Sequence, residues 1–114
     1  MRGFIDLVFR FGGRFYLVDW KSNHLGNSIE DYHQEALVQA MVRDYYLLQY
    51  HLYTVALDRY LALRLPDYHY DRDFGGIFYI FLRGVDPVAG ARYGVYRDRP
   101  PKELVAALVA GLIA

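Results

Sequence analysis

The chain contains no cysteine, and that single absence removes disulfides, thiolate zinc sites, iron–sulfur clusters and cysteine nucleophiles together. It has no excess of either charge. Thirteen basic residues balance thirteen acidic ones, so the net charge carries no footprint of a nucleic-acid binder. An anionic substrate would have to be held by local groups or by a metal. The longest apolar run, residues 104–114, falls well short of the ~20 residues that span a bilayer. No secretory signal stands at the start, where Met1 leads straight into strand-like sequence. Internal repeats and low-complexity linkers are absent as well. What these absences leave is a soluble cytoplasmic domain, and 114 residues suffice for one domain with one core.

What the chain does have is aromatic bulk. Hydrophobic residues make up 54% and aromatic ones 18%, with twelve tyrosines and seven phenylalanines, which argues against disorder and for a packed or partner-covered domain. Residues 3–11 and 14–21 are rich in β-branched and aromatic side chains and flank Gly12-Gly13. Two such runs around a glycine pair predict a hairpin, because both central residues of a type I′ turn need positive φ. A polar loop follows over 22–27. Ser28 then caps a helix running to about Arg43, with Glu30 and Asp31 in its first turn. A second helix is expected over about 45–65, ending before Pro66, with a polar loop at 67–71. Residues 76–83 are β-prone without clean alternation, as befits a central strand covered on both faces. A loop over 85–93, a short edge strand at 94–97 and a final apolar helix opened by Pro101 complete the chain.

The hairpin register gives the first sign of chemistry. A two-residue turn sets Phe11 opposite Arg14, and the numbers of paired residues then sum to 25. Asp6 falls opposite Asp19, and Lys21, two residues on from Asp19, shares its face. Opposed carboxylates have Cβ atoms roughly 5 Å apart and destabilise a hairpin unless positive charge lies between them. Lys21 supplies some of that charge; a magnesium ion, which takes one or two carboxylates and fills its octahedron with water and phosphate oxygens, would supply more. An Asp-x-Lys pattern by itself is more often a solvated strand end. On the long helix, Tyr46, Gln49 and Tyr53 stand at i, i+3 and i+7 and share one face. That stripe reads either as a site lining or as tyrosines shielding the edge of the core.

Four segments, GFIDLVF, LVDWKSNHLG, YYLLQYHLYTVALDRYL and DFGGIFYIFLRGVD, resemble in order and spacing the C-terminal nuclease domain of the RecB subunit of bacterial RecBCD, exonuclease V. The likeness covers residues 2–101, and the wider group is the PD-(D/E)XK nuclease superfamily. It implies an α/β (α+β), restriction-endonuclease-like core, a mixed sheet flanked by helices, here a single partial domain over 1–114 lacking the family's first helix and strand. It also implies that Asp6 and Asp19 bind magnesium with the backbone carbonyl of Trp20, manganese or calcium substituting for binding, and that Lys21 is the catalytic lysine. Gln49 and Tyr53, with Tyr46 one turn earlier, match the helical motif that supports the site and contacts DNA. The implied activity is magnesium-dependent hydrolysis of DNA phosphodiester bonds in double-strand break repair and recombination. The implied partners are DNA, RecC-like and RecD-like subunits and the RecA recombinase, with no membrane.

The chain departs from that pattern in two ways. The family's metal-binding histidine lies upstream of the Gly-x-x-Asp strand, and none of His24, His33, His51 or His69 occupies a matching position. Each is expected on the surface or in a loop, with His51 on the far side of its helix from Gln49. No Gly-x-x-x-x-Gly-Lys-Ser/Thr phosphate loop is present, so no ATP site is expected. The expectation is a fragment with weak metal affinity and weak activity. The alternative is a catalytically impaired relic that binds DNA or docks on protein. RecB-like nucleases that carry four cysteines for an iron–sulfur cluster do not fit this composition. The segment KELVAALVAGLIA, 102–114, reads as a core-packing helix, with partner docking as the second reading.

Overall fold

Gly12 and Gly13, with φ of 59° and 79°, turn the chain between β1 (Leu7–Phe11) and β2 (Arg14–Lys21). The pairing runs from Leu7 opposite Val18 to Phe11 opposite Arg14, the register that the glycine pair predicts. The computed structural model describes residues 7–88 and 90–113. β3 (Phe74–Phe81) lies parallel to β2, and β4 (Val95–Asp98) closes the far edge antiparallel to β3. The sheet is therefore mixed, with strand order β1-β2-β3-β4.

β3 starts two residues earlier than its sequence suggests. Phe74 is 1% exposed and its ring stacks on Tyr70 at 5.0 Å, which anchors the strand before the two glycines. These make a bulge in the pairing with β2. The Tyr16 ring lies where a Cβ on Gly75 would stand, 2.2 Å away, and Gly76 adopts φ 140°. Only glycine serves at such a close approach.

The helix expected to run from Ser28 to Arg43 is broken. Ser28 does cap, in a reciprocal box with Asp31, but the turn it starts is a 3-10 helix, Ile29–Tyr32. His33 is extended (ψ 165°), and its Nδ1 accepts from the Ala36 amide at 3.0 Å to recap α1, Gln34–Arg43. The cause is Tyr32, which is 1% exposed and packs over Gly84. Holding that ring inward sets a chain direction that a continuous helix would not take. α2 (Tyr46–Arg64) matches its expected span to within a residue and stops at Leu65, ahead of Pro66. The stretch read as loop at 67–71 runs into a single helical turn, α3 (Tyr70–Asp73), and α4 is Lys102–Ile113. The 85–93 loop includes a 3-10 turn, Gly90–Arg92. It is tied down by Gln34, whose Nε2 donates to the carbonyls of Ala91, Arg92 and Val95 at 3.2, 3.3 and 3.0 Å.

One face of the sheet builds the core. Leu17, Ile77, Tyr79 and Phe81 meet Leu37 and Met41 of α1, Tyr50, Leu57 and Leu61 of α2, and Val105 of α4, all buried. Each large apolar side chain so buried contributes roughly 1.5–3 kcal/mol. Val105 places α4 in this core, as the packing reading expects. The alternation of β2 carries Asp19 and Lys21 onto this same face, and that decides the setting of the candidate site. Among the described residues no helix is long and apolar enough to cross a membrane.

Candidate active site

β2 buries its acid as deeply as its aliphatic residues: Leu17, Val18 and Asp19 are 4%, 6% and 6% exposed. Asp19 Oδ2 lies 3.1 Å from Lys21 Nζ, with side chains 8% and 14% exposed respectively. Removing both charges from water is expensive, and their mutual attraction repays it only with help from further partners. Two aromatic rings give that help. Lys21 Nζ stands 4.2 Å from the Tyr46 ring centroid and 5.3 Å from that of Tyr79, where a desolvated cation–π contact is worth up to ~2 kcal/mol.

Helix α2 forms the back wall. Tyr45, the one non-glycine residue with positive φ (62°) among those described, turns the chain sharply between α1 and α2 and sets Tyr46 at the start of α2. The Tyr46 hydroxyl donates to Asn23 Oδ1 at 3.0 Å, and Asn23 Nδ2 donates to Asp44 Oδ2 at 2.7 Å. The loop leaving β2 is thereby fastened to the α1–α2 junction. One turn on, the Tyr79 hydroxyl donates to Gln49 Oε1 at 2.5 Å and Gln49 Nε2 donates to the Tyr53 hydroxyl at 3.2 Å. The stripe Tyr46, Gln49, Tyr53 thus faces the sheet, and Tyr53 is 8% exposed. Further along, the Tyr50 hydroxyl donates to Asp98 Oδ2 at 2.5 Å and lies 3.2 Å from the Tyr96 hydroxyl. Burial, and then the Asp98 carboxylate, push the Tyr50 phenol well above its ordinary range.

Of the residues singled out in the sequence, Asp19, Lys21, Tyr46, Gln49 and Tyr53 form one connected group through the contacts above. Asp6 lies outside the described residues. Trp20 alternates with Asp19 and Lys21 along β2 and is 40% exposed. His33 caps α1, His24 Nε2 sits 3.1 Å from Asn27 Oδ1, and His69 Nε2 lies 4.0 Å from Asp67. His51 is half-buried on α2, stacked on Tyr50 at 4.5 Å, with Nδ1 2.6 Å from the Leu47 carbonyl. Among the described residues no three His, Cys, Asp or Glu side chains converge as a metal cage does.

No protein-family model matches the chain. Individual proteins do. The RecBCD enzyme subunit RecB of Haemophilus influenzae is 53% identical over 108 residues, 95% of this chain and 9% of that protein. The RecB subunit of Escherichia coli is 52% identical over 106 residues, 93% of this chain and 9% of its own length. That of Mycobacterium tuberculosis is 46% identical over 114 residues, 95% of this chain and 10% of its own. The chain belongs to the RecB family. It spans about a tenth of the length of the RecB proteins it matches.

In this RecB segment two site neighbours escaped the sequence reading. Tyr79 lies within an apolar strand run and carries no mark that separates it from a core tyrosine. The β2–β3 pairing sets it directly beside Asp19. Asn23 sits in the polar loop, where nothing local points to its bonds with Tyr46 and Asp44. Both belong to the site through contacts more than 20 positions apart in sequence.

Proposed function

We propose that the chain is the nuclease segment of a RecBCD-type helicase–nuclease, hydrolysing DNA phosphodiester bonds with magnesium in double-strand break repair and recombination. The observation that carries this reading is the buried Asp19–Lys21 pair at the end of a sheet strand, backed by Tyr46 and Gln49 of α2. A buried carboxylate–ammonium pair is a poor stability device, since apolar residues of similar volume do as well or better. Its merit at this position is chemical.

The donor set suits a hard cation. Asp19 offers carboxylate oxygens and the Trp20 carbonyl a neutral one; Asp6, which enters on its sequence position alone, is the second carboxylate. Magnesium needs only one or two carboxylates and takes water and phosphate oxygens for the rest. When bound, it polarises the phosphoryl oxygen and acidifies the attacking water. Lys21 places a fixed positive charge beside Asp19, where it offsets the charge that builds on the phosphate and helps to orient the water. Gln49 and Tyr53 brace the wall behind the pair, and Tyr46 holds both the ammonium and the loop that follows β2.

On this reading the partners are DNA, RecC-like and RecD-like subunits and the RecA recombinase, in the cytoplasm. Magnesium titration by calorimetry, run beside a plasmid-degradation assay, tests it. Weak magnesium binding and slow cleavage are expected from the chain alone, with cleavage abolished in Asp19→Ala and Lys21→Ala. DNA binding with no cleavage at any magnesium concentration would replace the enzyme with a DNA-binding or docking module.

A further inference from the structure

We propose that Tyr79 is a positioning residue for Lys21, its ring forming the second wall of an aromatic holder that keeps the ammonium at its working place. The proposal rests on the nuclease reading of Asp19 and Lys21, and extends it to a residue on the neighbouring strand.

Lysine carries four rotatable bonds and ~2 kcal/mol of rotamer entropy, so an unrestrained ammonium at a reacting phosphate would be poorly placed. Here it is held on three sides, by Asp19 Oδ2 at 3.1 Å and by the Tyr46 and Tyr79 rings at 4.2 and 5.3 Å. The two rings lie 5.7 Å apart, tilted 45° to one another, so they form two sides of a corner.

The Tyr79 wall is itself fixed. Its pairing on β3 is directly opposite Asp19, it is 1% exposed, and Tyr50 packs edge-on to it at 5.8 Å. Its hydroxyl donates to Gln49 Oε1 at 2.5 Å. That bond leaves the amide nitrogen to donate to Tyr53, and so sets which way the Gln49 amide points. The ring therefore holds the lysine, and the hydroxyl holds the ring to α2.

Tyr79→Phe and Tyr79→Leu separate the two parts, since the first keeps the ring and the second removes it. The chain has two lysines, Lys21 and Lys102, and Lys102 is 60% exposed. In metal-free protein carrying 13C-labelled lysine, the Lys21 ε-protons should resonate upfield of those of Lys102 through the ring currents. Tyr79→Leu should move them part of the way back, and Tyr79→Phe should leave them in place. In the cleavage assay Tyr79→Leu should lower kcat about tenfold, equivalent to ~1.4 kcal/mol, with KM within twofold of wild type. Tyr79→Phe should keep kcat within about threefold.

If Tyr79→Leu does not fold, Tyr79→Met fills the space without a ring and carries the same expectations. Equal kcat losses in Phe and Leu, or Lys21 signals that Tyr79→Leu leaves unmoved, would overturn the proposal. Wild-type protein that cleaves no DNA would remove the nuclease reading, while the resonance shift still decides whether Tyr79 holds Lys21.

Discussion

Two carboxylate–cation pairs lie near the two ends of the β2–β3 half of the sheet. They have nearly the same length, 3.1 Å for Asp19–Lys21 and 2.9 Å for Asp73–Arg72. Their surroundings differ. The difference lies mainly in the cation: Asp73 is 16% exposed, but Arg72 is 54% exposed and shares itself between Asp73 and the Asp67 carboxylate at 3.6 Å, with a further hydrogen bond to the Asp67 carbonyl. Around it Asp73 Oδ2 accepts from the His69 amide at 2.9 Å, which closes the start of α3. Lys21 is enclosed by a carboxylate and two rings. Exposed pairs are screened and contribute ~0–1 kcal/mol, while buried ones are costly to form and costlier to break singly. The same chemistry thus shapes a turn in one place and builds an enclosed charge pair into the sheet in the other.

The sharpest way to break this contrast is Lys21→Met. It strips the ammonium from a carboxylate that has little access to water, so stability should fall by about 3 kcal/mol in urea melts. Cleavage should fall about 10²–10³-fold, the usual effect of deleting a fixed donor from a site of developing charge. The double variant Asp19→Leu/Lys21→Met should regain most of the lost stability and no activity. A single variant as stable as wild type would place the buried pair in the same class as Arg72 and Asp73.

A smaller effect is expected at Asp98, a carboxylate satisfied by neutral donors. Tyr50 reaches it at 2.5 Å and the Arg99 amide at 2.7 Å. Tyr50→Phe removes one donor and keeps the ring packing, so it should cost about 1–2 kcal/mol by the same melts. Comparing it with Lys21→Met separates loss of a hydrogen bond from loss of a countercharge.

These contrasts also mark what was legible in the sequence. The hairpin, its register and the shared face of Asp19 and Lys21 follow from Gly12-Gly13 and a period of two, which are local rules. The Tyr46, Gln49, Tyr53 face follows likewise from the helical period. Depth does not. Asp-x-Lys reads the same at a solvated strand end and under an aromatic wall, and the wall is built by Tyr79, which is 30 residues from the Gln49 it bonds. The break before α1 was hidden for a related reason. Ser28 and Asp31 carry a true capping signal, and only the burial of Tyr32 against Gly84 makes the turn end after four residues.

The mildest prediction concerns the pair with the exposed cation and its pH dependence. The Arg72 guanidinium, followed by the His69 amide, holds the Asp73 carboxyl down to about 2 from an ordinary 3.8. A carboxyl whose folded value is depressed contributes stability that is present above its unfolded value and is lost as pH falls. The window for Asp73 is therefore from about pH 4 down to about pH 2. Urea midpoints of wild type and Arg72→Ala should differ slightly at pH 6 and converge across that window, with the difference reduced at high salt because the guanidinium is open to screening. Asp73→Asn should flatten the same stretch of the stability curve and leave DNA cleavage at neutral pH as it was. If Arg72→Ala instead lowers stability as much as Lys21→Met, burial is not what separates the two pairs, and the functional weight placed on Asp19 and Lys21 loses its physical basis.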